Sequence, residues 1–478
     1  MILDKTCVLG DEAVHSGVAP LTISSGHDRT MLLSFRFLLS TWVLAAGLLF
    51  PMPEAQAEDL LAVYQLAQEN DPKFRAAQSV YSAEREKLPQ ARAGLMPTLN
   101  ARATRDRNNN ETVTDSFIIG RPSAGFEYSS SEYMLSLSQP VYNAAVFSGL
   151  TQAKAQVRRA EAEYAAAAQD LILHVTQAYL EMLLAQDSLE FTRAEKTSIR
   201  RQRESAEARL KVGLATITDV HDARARYETA AAQEIEADNN LQDKREALRE
   251  LTGRLPESST RVGVNMPLIT PEPADINQWV EKSLAQNYVL LAKREAAEGA
   301  REEIKRQRAG HYPTLDLVGT RTRSDADGSV TGPGIRADNT VVGLQLNVPL
   351  FQGGLVGSRT EEAAHRYDAV QQEFEATRRA TERAARAAYL GVAGGAAKVT
   401  ALTQSVVAGE SALNAKTEGF AAGVNTNIDV LDASRDLYRA KRDLSSARYG
   451  YLLNLLRLKQ AAGTLSENDL AQINGWLQ

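Results

Sequence analysis

The chain has 478 residues, with 54 Lys and Arg against 60 Asp and Glu, a net charge of −6 and one cysteine, Cys7. Its mixed, mildly acidic charge holds no basic block or aromatic-studded basic face, which excludes nucleic acid as a partner. A single cysteine excludes a disulfide framework and a thiolate metal cluster.

Residues 1–57 read as a targeting segment. Arg36 supplies positive charge, Leu38 to Phe50 an apolar core, and Ala55-Gln56-Ala57 an A-x-A cleavage site. The apolar run of roughly 13 residues falls short of the ~20 that a spanning helix needs. Met31 opens a signal peptide of ordinary length, so residues 1–30 are expected to be an over-called start and 31–57 the signal peptide. The exported chain then begins near Glu58, without Cys7 and with no cysteine at the cut to carry a lipid. No later stretch reaches ~18 consecutive apolar residues, which excludes a helical membrane protein but not one that enters as strands.

Residues 60–93 carry a helical pattern, with a kink or early end expected near Pro89. Pro97 opens a strand in which Leu99, Ala101 and Ala103 alternate with Asn100, Arg102 and Thr104. Residues 107–130, rich in Asn, Ser and Gly, read as a loop. The return strand sets Tyr133, Leu135 and Leu137 against Met134, Ser136 and Ser138. From Asn143 to Val212 there is no proline and one glycine, Gly149. Apolar or small residues recur there at heptad spacing: Tyr164 and Ala168, Leu171 and Val175, Ala178 and Met182, Ala185 and Leu189. Such a helix of ~70 residues is ~105 Å long. It stops at Gly213, which suits the left-handed position ending a helix. The next helix starts at Thr216, a good N-cap, with Asp219 in its first turn.

The same order then recurs. Arg92-Ala93-Gly94-Leu95-Met96-Pro97-Thr98-Leu99 matches Arg308-Ala309-Gly310-His311-Tyr312-Pro313-Thr314-Leu315, and Ala178-Tyr179-Leu180 matches Ala388-Tyr389-Leu390. The turn Gly213-Leu214-Ala215-Thr216 returns as Gly423-Val424-Asn425-Thr426. Offsets stay near ~210–216 residues, far longer than a solenoid period, so one half is duplicated. The halves are residues 58–263 and 274–478, joined by a linker over 264–273. In the second, Leu315 and Leu317 oppose Asp316 and Val318, a Gly/Asp loop covers 324–339, and Val342, Leu344, Leu346 and Val348 oppose Gly343, Gln345 and Asn347. Leu437, Leu444, Tyr451 and Leu458 carry a heptad seam.

The strands, about ten residues each, suit a barrel with lipid outside and water inside, but taken alone they favour an ordinary half-buried sheet. The helices decide between the two. Two half-length helices of ~35 residues, end to end, match one long helix, so each half makes an antiparallel pair ~100 Å tall with no single fat globular core. Four strands cannot close a membrane barrel, whose minimum is about eight, and an open edge cannot face lipid. Two chains give eight strands, filled by side chains; three give twelve and room for water, so a trimer is preferred. The fold class is mainly α with a β-barrel part: duplicated half-repeats forming long hairpins, plus four transmembrane strands per chain, closed as a trimeric twelve-stranded barrel.

These residues resemble the TolC family of outer-membrane channels. The resemblance rests on both strand–proline junctions, Gln139-Pro140-Val141-Tyr142 and Val348-Pro349-Leu350-Phe351, and on both turns. It rests also on Ile428-Asp429-Val430-Leu431-Asp432-Ala433, Ala447-Arg448-Tyr449-Gly450-Tyr451-Leu452-Leu453 and Ala462-Gly463-Thr464-Leu465-Ser466-Glu467-Asn468-Asp469-Leu470. It implies a homotrimer in outer-membrane lipid, continued by an α-helical tunnel across the periplasm. It implies an exit duct for type I protein secretion or multidrug efflux, recruited by a periplasmic adaptor (membrane fusion protein) and an inner-membrane ABC, RND or MFS-type pump. The competing reading is a periplasmic coiled-coil adaptor or scaffold, which also has long hairpins and β segments.

No catalytic constellation, metal site or cofactor is expected. His174, His221, His311 and His365 are scattered, and His221, beside Asp219 and Asp222, reads as a solvated tip histidine. Asp429 and Asp432, three apart, share one helix face. By resemblance they match the family's constricting aspartates, which in a trimer form two stacked carboxylate rings. Such rings favour cations, and mutual repulsion raises some of their pKa values. Asp219 matches the family's partner in the bonds that hold the tip closed. Here Phe420 stands where a tyrosine is expected and Asn425 where an arginine is, so the charge-assisted link is expected to be lost or weaker. Gly213, Leu214, Thr216, Gly423, Val424 and Thr426 are the expected docking surface for the adaptor.

Overall fold

The computed structural model describes residues 59–113, 117–118, 123–255, 266–329 and 332–477. The expected targeting segment over 1–57 lies outside the described residues. So does the start of the linker, while its residues 266–273 carry no helix or strand.

The N-terminal helical pattern forms α1 (Leu60–Asn70), α2 (Pro72–Arg85) and α3 (Lys87–Ala93), not one helix with a single interruption near Pro89. The first break is at Asp71, which is extended (φ −63°, ψ 116°) and accepts from Lys73 N at 3.0 Å. A residue preceding proline is pushed out of the α region, and Pro72 then fits the first helical turn. The second break is at Glu86, just before the turn that holds Pro89.

Strands β1 (Thr98–Val113) and β2 (Ser123–Tyr142) follow, then α4 (Ala144–Lys211), α5 (Ile217–Thr252), α6 (Ile276–Gln286) and α7 (Tyr288–Arg308). Strands β3 (Thr314–Ser329) and β4 (Gly332–Asn347) precede α8 (Leu355–Ala421), α9 (Asn427–Ala461) and the short α10 (Glu467–Asn474). The second half thus repeats the first, down to its break. Asn287 (φ −63°, ψ 122°) separates α6 from α7 without a proline, its side chain accepting from Leu290 N at 3.1 Å.

The long helices α4 and α8 have 68 and 67 residues, about 100 Å at 1.5 Å per residue. Their partners are stacked end to end. The left-handed Gly253 that ends α5 meets Asn70 at the α1–α2 break, and Gly463 beyond α9 meets the Gln286 carbonyl at the α6–α7 break. A side chain at Gly463 would collide with that carbonyl. Asn287 stitches the second joint by donating to Ala461 O at 3.1 Å.

Side by side, α2, α3 and α5 lie on α4, α4 lies on α7 and α9, and these lie on α8. The result is a helical wall with α4 inside it and α8 at one edge. The expected seam Leu437, Leu444, Tyr451 and Leu458 is buried. A substantial core does exist, contrary to expectation, where α1, α10 and the C-terminal half of α9 close on the middle of α4. It is built on Leu60, Tyr179, Leu183, Leu452, Leu456 and Ile473. Position in the wall decides the fate of duplicated residues: Leu180 on α4 is fully buried, whereas its counterpart Leu390 on α8 is 62% exposed.

The strands form one antiparallel sheet in the order β1-β2-β3-β4. They run 16 to 20 residues rather than about ten. The Asn-, Ser- and Gly/Asp-rich stretches read as loops are mostly strand, because ladder pairing overrides weak propensity. Directly paired residues share a face, so Leu99, Leu137, Gly319 and Val342 lie together, as do Ala101, Leu135, Arg321 and Thr340. Along β2 the apolar Tyr133, Leu135 and Leu137 are exposed, and Met134, Ser136 and Ser138 are the sheltered ones. A sheet in water buries its apolar face; this one displays it.

Candidate functional site

The two helical turns lie at the far end of α4 and α8 from the sheet. Each closes by the chemistry its residues dictate. Gly213 and Gly423 take φ of +77° and +79°. Leu214 N bonds Arg209 O and Val424 N bonds Gly419 O, both at 2.8 Å, the pairing of a Schellman turn. Thr216 and Thr426 cap the following helices, and Asp219 and Asp429 answer them in reciprocal capping boxes. Leu214 and Val424 are left pointing outward, 75% and 81% exposed.

Gly213, Leu214 and Thr216 thus share one turn and Gly423, Val424 and Thr426 the other; Asp219 and Asp429 make the first-turn caps their positions suggest, while Asp432 and Phe420 take partners outside the expected latch. Asp429 accepts from Thr426 N at 2.9 Å and from Thr426 Oγ1 at 2.6 Å. The hydroxyl first, then the backbone N–H, hold its pKa below the usual carboxylate range. Within one chain the direction is therefore opposite to that expected from ring repulsion. Asp432, one turn on, accepts from Arg226 Nη1 of α5 at 2.8 Å, with Arg435 at 3.6 Å.

Asp219 bonds to Thr216 N and Oγ1, not to Phe420 or Asn425. The Phe420 ring lies under the Arg209 guanidinium, 4.1 Å from its centroid. Asn425 sits over Gly419 in its own turn. Where a tyrosine hydroxyl and an arginine were expected, a cation–π contact joins α4 to α8 and an ion pair joins α5 to α9.

A small apolar patch of Ile199, Ala223, Ala230 and Leu431, flanked by Tyr227, seats the α9 hairpin on α4 and α5. Beside it Gln202 donates to Asn427 Oδ1, and Ser434 Oγ donates to Ser198 Oγ at 3.2 Å. Asn427 is 4% exposed, and its Nδ2 has no partner among the described residues. Leaving a buried donor unpaired costs about 1–3 kcal/mol, so this seat is less stable than a fully paired one. Sequence reasoning missed Arg226, Arg209 and Gln202. Their charge and polarity were visible, but no spacing rule links positions on separate hairpins.

The sequence profile described as "Outer membrane efflux protein" matches residues 63–254 and again 279–464. The chain is 36% identical over 425 residues to the outer membrane protein TolC of Vibrio cholerae, covering 88% of this chain and 94% of that protein. It is 35% identical over 438 residues to the alkaline protease secretion protein AprF of Pseudomonas aeruginosa, covering 90% of each. Among solved structures, the Campylobacter jejuni CmeC outer membrane channel superposes with a TM-score of 0.74 at 17% identity, covering 88% of this chain and 89% of that one.

Proposed function

Because the chain belongs to the outer membrane efflux protein family, we propose that three copies of it close into one passive exit duct. It is a protein of the outer membrane, extending into the periplasm, that serves efflux or type I secretion. The observation that carries the trimer is the pair of open edges. Among the described residues, β1 and β4 each lack a neighbour on one side of a sheet whose apolar face is displayed, and α8 ends the helical wall with Leu390 62% exposed. An unpaired strand edge is not tolerated in lipid, so β4 of one copy pairs with β1 of the next. Three such sheets make twelve strands with the polar face, including Asn100, Ser136, Thr320 and Asn339, turned to water.

In this duct the helical tips form the periplasmic mouth. Asp429 and Asp432 of three chains make two carboxylate rings, and the Arg226–Asp432 pair and Arg209–Phe420 contact take the place of the missing latch. The tip turns, with Leu214 and Val424 outward, receive the hairpins of a periplasmic adaptor, and an inner-membrane pump of ABC, RND or MFS type supplies the energy. The alternative of a periplasmic adaptor or scaffold has no support: the relatives are outer-membrane proteins, and a periplasmic sheet would not display Leu99, Leu344 and Leu346 at 64–68% exposure.

Cells deleted for the chain should accumulate a fluorescent efflux dye or lose a secreted protein from the medium, and regain the phenotype on complementation. Unchanged dye accumulation together with unchanged secretion would refute the duct.

A further inference from the structure

The displayed face of the sheet ends in arginines. On this face the apolar stretch of each strand has the same length: Leu99–Ala103 on β1, Leu137–Tyr133 on β2, Leu315–Gly319 on β3 and Leu346–Val342 on β4. Moving away from the helices, the next residue on the same face is Arg105, Ser131, Arg321 and Thr340 respectively, with Arg323 following on β3. In the register this boundary is stepped: Arg321 and Thr340 pair level with Ala101 and Leu135, Arg323 lies level with Ala103 and Tyr133, and Arg105 comes one same-face position further out. It is the outer end of the sheet, since α3 and α4 adjoin the other.

Toward the helices the apolar surface continues through Val348, Leu350 and Phe351, so Val342 to Leu350 extends roughly 25 Å along the chain. An arginine facing lipid is costly at the bilayer centre and tolerated near its surface, which sets this rim at headgroup depth.

Three of the rim arginines have no carboxylate partner among the described residues. Arg107 pairs with Glu127 at 3.2 Å and Arg336 with Asp325 at 2.8 Å. Arg105, Arg321 and Arg323 are exposed and form no ion pair; Asp338 lies opposite Arg323 in the register but does not bridge to it. Beside Arg321 and Arg323, the small Ala101 and Ala103 leave a hollow of about 400 Å³, walled by Tyr133 and Leu135. It has an apolar floor and a cationic rim. Guanidinium groups bind phosphate oxygens bidentately, and an apolar floor suits an acyl chain.

We propose that Arg105, Arg321 and Arg323 form a binding site for the phosphate groups of the phosphorylated glycolipid in the outer leaflet of the outer membrane, with an acyl chain lying over Ala101 and Ala103. The site rests on the apolar face meeting lipid, as in the duct.

The test uses the full chain extracted from outer membranes into lipid nanodiscs, with retained lipid counted by native mass spectrometry. The probes are bisphosphorylated lipid A, its dephosphorylated form, phosphatidylglycerol and inorganic phosphate. The chain should retain bisphosphorylated lipid A above the other three. The variant Arg105→Gln/Arg321→Gln/Arg323→Gln should retain it about a hundredfold less, from roughly fivefold per arginine near an anionic surface. The triple Arg→Lys variant should keep most of the retention.

Equal retention by the Gln variant, equal retention of phosphatidylglycerol by the unaltered chain, or displacement of lipid A by inorganic phosphate at equal concentration would each overturn the proposal. If the triple Gln variant does not assemble, Arg321→Gln alone decides, with about a fivefold drop expected and no drop overturning it. Failure of the duct reading is separately visible, as absence of the unaltered chain from the outer-membrane fraction.

Discussion

Replacing Arg226 by alanine should raise the open probability of the duct without harming its assembly. Arg226 Nη1 lies 2.8 Å from Asp432 Oδ1, and the two side chains are 31% and 37% exposed. The gross attraction of unit charges near a protein surface is about 4 kcal/mol at ~4 Å. Desolvation and side-chain ordering offset most of it, and such pairs contribute about 0.5–1 kcal/mol net. Arg435, 3.6 Å from the same carboxylate, keeps part of the interaction in the variant.

If three tips open together, the loss is about 1.5–3 kcal/mol per duct, a roughly 10- to 100-fold shift toward open at 1.4 kcal/mol per decade. The assay is open probability of single channels in planar bilayers, for Arg226→Ala, Asp432→Asn and the double variant. Asp432→Asn also alters the charge ring and hence conductance, so open probability, not current, is compared. The double variant should match the more open single one, and the Arg226→Ala effect should shrink near 1 M salt, where screening acts within about 3 Å. Unchanged open probability in Arg226→Ala, or strict additivity with Asp432→Asn, would refute the reasoning.

Gly213→Val places a β-branched residue at φ +77° with open space around its Cβ. The strain is local, about 1–2 kcal/mol, so the chain should still assemble in the outer membrane while export falls; unaltered export would remove the docking role of the tip. Leu344→Arg puts a charge on the displayed apolar face, where it costs about 2–4 kcal/mol at mid-bilayer. Membrane assembly should drop, and a variant that assembles normally would argue that this face does not meet lipid. Asp429 has a lowered folded pKa, so its capping box stabilises the start of α9 above the ordinary carboxylate value and loses that effect as pH falls through the folded value. Hydrogen exchange at Ile428–Val430, corrected for intrinsic rates, should stay constant from neutral pH to the ordinary carboxylate range and quicken below it. Asp429→Asn should lack that acid step; an identical step in the variant would assign it to another group.

Helix length and tip chemistry were legible because both are local. An uninterrupted heptad pattern specifies α4, and a glycine followed by Thr216 and Asp219 specifies a Schellman turn and a capping box. The break at Asp71 was visible as an aspartate before a proline, yet the apolar periodicity runs through it. The break at Asn287 has no proline and depends on a joint with α9, supplied by a residue far along the chain. Strand length was underread because Asn108–Asn110 and Ser129–Ser131 look like loop until their partners are known. The aspartate pair of α9 shows the same limit. Asp429 and Asp432 could be placed on one helix face from spacing, but which cation meets Asp432 depends on how two hairpins pack, and no pattern within either one names Arg226.

The central claim is that three chains share one duct, because a single copy leaves β1, β4 and the outer face of α8 uncovered. The most direct measurement is the mass of the particle released from outer membranes in mild detergent, read by native mass spectrometry. Three chains per particle are predicted. A particle of one or two chains would contradict the account.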